Sequence, residues 1–351
     1  MKTTIKVFDE DLNYLTEICC FNSLYFKTSY SEATEFMFYV NSTLENFANL
    51  KKGNIIKVGE NEGIILNRKI AKQNNIEIIQ VKGLTLNCIL NRRRLLEERT
   101  FWNMKIDKII ETLMEENITN AKEPDRNIIN LQIVNSDKLS LPIVPYFKAT
   151  SSKNLAENIF ELCKMYEIGN KIELDLSNKK FLFKLFKGNN LNNICFNYET
   201  NVLDMEYEES DINMKNICYI KLDDKNNYKV IGEIKGLNRH ETIVENKKVD
   251  TDEIIKSFEE IGNKTLFKNK TKENIKCVIS TNRFYIFNRD YKLGDIITVK
   301  NKNWNLQKEL RIEEIEETYD KEYTLNITLG EQIPLIFTKI KSKITNLEDK
   351  L

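Results

Sequence analysis

The sequence predicts an α+β chain that is mainly β. Two small barrel-like antiparallel β domains enclose an α+β middle domain. Three observations carry that expectation. Short apolar/polar alternations bounded by Gly, Asn and Ser fill roughly the first 90 residues and return after Val202. The dominant period changes to 3.6 in the middle, where Ile106, Ile109, Ile110, Leu113 and Met114 share one helical face. No low-complexity linker or internal repeat interrupts the chain, and three of its four prolines (Pro124, Pro142, Pro145) fall in one irregular stretch. The domains are accordingly placed at 1–95, 96–203 and 204–351.

Taken in order, strands are expected at 4–8, 14–19, 22–29 and 35–40, with an acidic turn at Asp9-Glu10-Asp11-Leu12-Asn13. A short helix carrying Leu44, Phe47 and Leu50 opens at Ser42 or Thr43, whose hydroxyl suits an N-cap. Strands at 54–58, 63–67 and 76–81 follow, ending near Gly53, Gly63 and Gly83. Helical character runs from Arg92 to Thr119, and a second helix spans about Asn154–Tyr166. Lys171–Leu176 and Phe181–Phe186 read as strands, then Gly188-Asn189-Asn190 as a turn. Asn216–Leu222 and Tyr228–Lys235 form a hairpin about a polar turn, and Asp252–Ile261 is a helix that Gly262 ends. Strands at 275–280, 283–288, 295–300, 309–318 and 322–329 complete the chain, with Thr338–Leu351 as a short polar tail.

A chain of 351 residues with 41% hydrophobic and 10% aromatic content can bury several cores. Lys+Arg and Asp+Glu both number 53, so net charge steers toward neither nucleic acid nor an acidic membrane. Seven cysteines without a C-x-x-C pair read as reduced thiols packed as small hydrophobes, in a chain that folds in a cytoplasm. The N-terminus alternates like a strand and has no apolar core of a signal peptide. No apolar run reaches the roughly 18–20 residues needed to span a bilayer.

Candidate chemistry is sparse. A single histidine, His240, excludes two-histidine metal sites and sits in a polar loop. Asp9-x-Asp11-x-Asn13 copies the opening of a calcium loop, but Tyr14 stands where the sharp turn needs Gly and Cys20 where a bidentate Glu belongs. Gly262-Asn263-Lys264-Thr265 lacks the earlier Gly of a phosphate loop and follows a helix instead of opening one. Asp223/Asp224 with Glu233-Ile234-Lys235 is the main enzymatic alternative. Asp224 and Glu233 would hold magnesium while Lys235 assists the attacking water of a nuclease. A solvent-facing hairpin accounts for the same residues. Tyr207-Glu208-Glu209-Ser210-Asp211 could offer paired carboxylates for sugar hydrolysis, but no apolar pocket is visible to raise one pKa. Arg93 and Arg94 have Glu97 and Glu98 four residues on, which helix-surface ion pairs would explain. No catalytic constellation, metal site or cofactor is expected, and that points to a structural or binding role.

One stretch stands apart: Asp290-Tyr291-Lys292-Leu293-Gly294-Asp295, followed by the β-branched run Ile296-Ile297-Thr298-Val299. Locally it is a turn feeding a strand, with Gly294 free to take angles closed to other residues. Together with other landmarks in order, it resembles the tail hub proteins of siphophages and contractile phage tail-like particles. Those landmarks are Val7-Phe8-Asp9, Ser23-Leu24-Tyr25-Phe26 and Tyr30-Ser31-Glu32-Ala33-Thr34-Glu35-Phe36. Gly53-Asn54-Ile55-Ile56, Gly63-Ile64-Ile65 and Gly83 to Leu90 follow, then Gly188-Asn189-Asn190-Leu191, Asn201-Val202-Leu203 and Leu329-Gly330-Glu331-Gln332-Ile333-Pro334. Thr34 stands where that family often has Gly, and Asn189 where an acidic residue or Arg is frequent. The resemblance covers essentially the whole chain.

It implies a baseplate hub in the virion or a tail-like bacteriocin, made in the cytoplasm of a bacterial host. Such hubs are homotrimers in which each chain contributes two β domains, so three chains present six similar units to a tail tube or distal tail ring. Below, the same trimer offers threefold symmetry to a spike, fibre or lysin, and the tape-measure protein occupies the channel. The resemblance implies no enzyme activity, no membrane insertion and no sequence-specific nucleic-acid binding. The chain's end soon after the last strand leads us to expect no appended hydrolase domain.

Overall fold

Alternation in the first 85 residues produces seven strands and one short helix. These are β1 (Ile5–Phe8), β2 (Tyr14–Ile18), β3 (Ser23–Ser29), β4 (Glu35–Asn41), α1 (Leu44–Asn49), β5 (Ile55–Val58), β6 (Asn61–Gln73) and β7 (Ile76–Thr85). The computed structural model describes residues 3–331 and 333, apart from 74, 137, 222–226, 246–251 and 282–283. Its strand content is 49% against 17% helix, which makes the chain mainly β with α+β character. Antiparallel pairing orders the first strands β2-β1-β5-β6-β7-β4-β3. Their inward residues Phe26, Phe36, Phe38, Val40, Ile65 and Val81 are fully or almost fully buried, while alternate positions face outward. The sheets are open where closed barrels were expected. Thr43 is the N-cap of α1, accepting from the Asn46 amide.

A 3₁₀ turn, Leu86–Arg92, leads into the middle section. Helical character starts only at Ile106, later than its expected onset at Arg92. Before it lies β8 (Arg99–Lys105), then α2 (Ile106–Met114) and a π turn at Glu115–Thr119. The reason is compositional: Thr100, Phe101 and Trp102 favour a pleated surface, and the 3.6-residue period belongs to 106–114 alone. Arg93 and Arg94 therefore do not stand on a helix, and helix-surface spacing does not account for them. Glu97 meets Arg99, and Glu98 meets Lys148. The 120–150 stretch is less irregular than expected, for it holds β9 (Leu131–Ile133) and β10 (Ile143–Ala149). β10 pairs only with β8, so Pro145 costs no ladder bond on its open side. α3 (Leu155–Met165) begins with a capping box between Asn154 and Glu157. It packs with α2, β11 (Gly169–Asp175) and β12 (Lys180–Phe186) into one apolar core. The five apolar residues of α2 are at most 1% exposed. At about 1.5–3 kcal/mol each, they contribute on the order of 10 kcal/mol of gross burial. β13 (Asn190–Asn197) closes the section.

β14 (Val202–Ser210), β15 (Ile217–Lys221), β16 (Tyr228–Ile231), β17 (Glu241–Glu245), α4 (Asp252–Lys268) and β18 (Lys272–Ile279) come next. β15 pairs antiparallel with β16 and parallel with β17, and Ile261 and Leu266 of α4 pack on the Cys218 and Ile220 face. Gly262 lies inside α4 and does not cap it. A side chain there would come within 2.5 Å of Ile231 Cδ1, so glycine serves close helix–sheet packing. The expected strand over 283–288 is not one. Arg283 is outside the described residues, and Phe284–Asn288 forms a turn in which Asp290 captures the Ile286 amide with its side chain and returns its own N–H to the Ile286 carbonyl.

β19 (Ile296–Asn301), β20 (Leu306–Tyr319) and β21 (Tyr323–Gly330) finish the described chain. β20 pairs with β19 through its first half and with β3 through its second, from Glu314↔Ser29 to Tyr319↔Leu24. β13 adds to β19 in parallel. By contacts the chain divides into two units, 1–203 with 278–327 and 204–277 with 328–351.

Candidate functional site: the Asp290–Asp295 turn

Within the first unit, three stretches far apart in sequence meet around the turn. Lys292–Asp295 is a tight turn, closed by the Asp295 amide on the Lys292 carbonyl at 3.2 Å. Gly294 has φ +91, the angle that the third residue of a type II turn requires. A Cβ there would also lie 2.4 Å from Tyr30 Cε2. Asp295 is 4% exposed, and both its oxygens are used by main chain. Oδ1 accepts from the Asn189 amide and Oδ2 from the Lys292 amide, each at 2.7 Å. Gly188 passes so close that a Cβ would sit 1.8 Å from the Gly294 carbonyl oxygen. Two glycines and one carboxylate thus hold residues 188–189 against 294–295.

Tyr30 supplies the third stretch. Its hydroxyl lies 3.2 Å from the Glu167 carbonyl and 3.4 Å from that of Phe186, sharing one proton between them. Its ring meets Phe186 edge-on at 5.1 Å, and the Arg311 guanidinium stands 5.1 Å over its face. Arg311 also donates to the Gly294 carbonyl at 2.9 Å and pairs with Glu167 at 3.2 Å. Beside it, Asn170 donates to the Ser31 carbonyl, and Asn87 bridges Asn170 and the Ile172 amide. Tyr291 is 1% exposed, with its ring edge-on to Phe196 at 5.2 Å. Burial first, then the Asp290 and Glu317 charges, pushes its hydroxyl well above the usual tyrosine range. That hydroxyl has no hydrogen-bond partner among the described residues. Leu293 is half-buried. Asp290 is half-buried, pairs with Arg289 at 2.9 Å and lies below the usual carboxylate range because of that pair and then the Ile286 amide.

The alternatives scatter. Asp9 Oδ1 accepts the amides of Asp11 and Asn13, which makes the acidic stretch a side-chain-closed turn. Glu233 and Lys235 lie beyond the end of β16, both exposed, so the Glu-x-Lys pattern is not held on a strand. Asp223 and Asp224 fall outside the described residues, as do Gln332, Pro334 and the tail Thr338–Leu351. His240 is exposed, and its main chain pairs with Asn216. Among the described residues no cluster of three or more His, Cys, Asp or Glu could hold a metal ion, and no helix is long and apolar enough to cross a membrane. Sequence reasoning missed Arg311, Asn87 and Asn170. Nothing local marks them, because Asn87 and Asn170 meet each other, and Arg311 meets Tyr30 and Glu167, only across long stretches of chain.

Residues 4–331 match the family described as Siphovirus ReqiPepy6 Gp37-like protein. The chain belongs to that siphovirus tail-protein family. Its fold is similar to that of several solved phage tail proteins. The 43 kDa tail protein of prophage MuSo2 from Shewanella oneidensis aligns with TM-score 0.64 at 12% identity, over 94% of this chain and 98% of that one. The tail protein from Neisseria meningitidis MC58 gives 0.62 at 10%, over 95% and 97%. Prophage tail protein gp18 from Listeria monocytogenes EGD-e gives 0.60 at 11%, over 98% and 99%. No curated protein sequence matches the chain. At such identities the likeness speaks for the fold, and the family match for a phage tail or baseplate structural protein.

Proposed function

We propose that this tail protein is the hub at the distal end of a phage tail or tail-like particle. Three copies surround the channel for DNA and the tape-measure protein. They adapt a sixfold tube or distal ring above to a threefold spike, fibre or lysin below. In this reading the β-rich segments 1–95 and 204–351 give each chain two similar β bodies, and the middle segment 96–203 fills the periphery. The Asp290–Asp295 turn, with Tyr291, Leu293 and Gly294, is the clasp that ties these segments together. The reading rests on one observation, the family match over nearly the entire chain, which the full-length fold likeness accompanies. Equal numbers of acidic and basic residues also suit a channel that DNA must leave without sticking.

The test is subunit stoichiometry by quantitative mass spectrometry on intact tail particles from the source cell. Three copies per particle, beside neighbours at three or six, is the expected result. Absence from such particles removes the hub reading and returns the Asp224/Glu233/Lys235 segment to examination, by magnesium-dependent DNA cutting.

A further inference from the structure

The arginines of the 92–94 run gather with Arg126 in one place. Arg93 Nε donates to the Arg126 carbonyl at 2.8 Å, and Arg126 Nη2 donates to the Arg94 carbonyl at 2.6 Å. Arg93 Nη1 reaches the Arg92 carbonyl at 3.0 Å. Carbonyl oxygens can organise guanidinium groups but do not neutralise them. Among the described residues, Arg92, Arg93 and Arg126 form no ion pair with a carboxylate. The nearest acids in sequence, Glu97 and Glu98, are engaged by Arg99 and Lys148. Burial first, then the Arg126 and Arg92 charges, draws Arg93 below the usual arginine range, as expected for like charges held together. Two large apolar side chains flank the cluster in sequence: Leu96, 62% exposed, and Ile129, 98% exposed. Glu123 and Asp125, on the turn that carries Arg126, are the acids closest to it in sequence on that side, and both are exposed.

A strand elsewhere in the chain has the complementary composition. β14 ends the hydrogen-bonded strand order, so one of its edges is open among the described residues. Met205 is buried and Tyr207 half-buried, while Asp204, Glu206 and Glu208 are exposed on the opposite face. Alternate residues of a strand lie about 6.5–7 Å apart, which sets three carboxylates in a row along the edge strand. Glu206 and Glu208 have no ion-pair partner among the described residues. Leu203 and Ile212, 65% and 63% exposed, bracket the row with apolar side chains. The cluster offers forked donors with apolar flanks, and the strand offers carboxylates with apolar flanks.

We propose that the cluster of Arg92, Arg93 and Arg126 is a docking surface for the acidic strand Asp204–Asp211 of a second copy of this chain. The contact joins two different surfaces, so it is heterologous and repeats around a ring until the ring closes. It rests on the hub reading and deepens it by naming the interface. A nucleic-acid backbone is the less favoured occupant, because Leu96 and Ile129 add apolar surface that phosphates do not match.

The experiment is sedimentation of the full chain over a range of concentrations at low and high salt. The parent protein is compared with R92E/R93E, with E206R/E208R and with the fourfold variant, and thermal melts check that each is folded. We expect self-association that salt weakens, an association constant at least tenfold lower in each double variant, and recovery to within a few-fold in the fourfold variant. Double variants that associate like the parent overturn the proposal, as does a fourfold variant that fails to recover. A parent chain that stays monomeric at every concentration overturns it too. A gel shift of a short duplex DNA that R92E/R93E abolishes reassigns the cluster to phosphate. If the particle holds three copies and charge reversal changes nothing, this interface is wrong and the hub stands. If the particle lacks the protein, the hub reading fails whatever the sedimentation shows.

Discussion

Replacing Asp295 with asparagine isolates the carboxylate at the meeting point of the three stretches. The amide has the same shape, but only one of its terminal atoms accepts a hydrogen bond. In the native side chain each oxygen takes one main-chain N–H at 2.7 Å, from Asn189 and from Lys292. The substituted side chain would keep one of these and turn an NH₂ group toward the other donor. A hydrogen bond to a charged acceptor contributes about 1.5–3 kcal/mol, and a donor left unsatisfied costs about 1–3 kcal/mol. Asn189 and Lys292 are themselves exposed, so water recovers part of the loss. The expected destabilisation is therefore about 2–4 kcal/mol. For a unit of this size each kcal/mol moves the melting temperature by roughly 2–4 °C, which predicts a fall of roughly 4–16 °C. The two units can melt separately, so the calorimetric trace should be paired with amide hydrogen exchange at Gly294 and Ile312, whose N–H groups bridge the turn to β20. Asp290→Asn is the comparison: that carboxylate is half-buried and holds one main-chain amide, of Ile286, beside its Arg289 pair, so its effect should be smaller than that of Asp295, which holds two. An unchanged melt with unchanged exchange at both amides would show that the carboxylate does not hold the junction.

Three further outcomes follow from the same geometry. Gly294→Ala should destabilise the first unit more than Gly236→Ala destabilises its own, although both glycines have positive φ, because only Gly294 faces a ring within 2.4 Å; equal melting shifts would remove the close-approach argument. Burial pushes the thiols of Cys163 and Cys277 up to about 12 and that of Cys88 to about 11, while Cys19 and Cys20 are exposed. Brief alkylation of the native protein near about pH 8 should therefore mark Cys19 and Cys20 first, and equal labelling of Cys163 by peptide mass spectrometry would contradict the packing. Burial opposes the charge of Glu173, but the Lys171 and Lys184 pairs outweigh it and hold the group below the usual carboxylate range. A depressed folded-state pKa stabilises above the unfolded value and is lost as pH falls. The melting gap between parent and Glu173→Gln should then close from about pH 6 to about pH 3, and a gap that widens on acidification refutes the assignment.

How much of this was legible in the sequence depended on how far apart the interacting residues lie. Thr43 and Asn154 cap helices through bonds to residues three positions on, and the sequence placed both helices closely. The α2 stripe was visible for the same reason: its periodicity is local. The strand β8 was not, because its partner β10 lies about forty residues later and the neighbouring helical period overran it. Phe284–Asn288 carries aromatic β-formers, yet an aspartate four residues beyond Ile286 folds it back on itself. Gly262 reads as a cap by composition, and only the position of Ile231 reveals that it is there for want of a side chain. The stretches 188–191 and 290–295 were visible as turns, and 30–36 as a landmark of the family resemblance. That Tyr30, Gly188 and Gly294 converge is a long-range fact, and so is the pairing of β20 with β3.

The distribution of satisfied and unsatisfied polar groups carries the last step. Around the clasp, the side chains that look functional are consumed internally. Both Asp295 oxygens hold main-chain amides, the Tyr30 hydroxyl faces two carbonyls, and Arg311 divides its donors between Gly294 and Glu167. These groups fix the chain, while the buried Tyr291 hydroxyl of the same turn is left without a hydrogen-bond partner among the described residues. Arg92 and the Glu206–Glu208 pair, which have no ion-pair partner among the described residues, are exposed. Side chains turned inward to fix the chain, with charged groups left at the surface, suit a part that meets other protein surfaces. That division of labour is what a structural part of a tail requires.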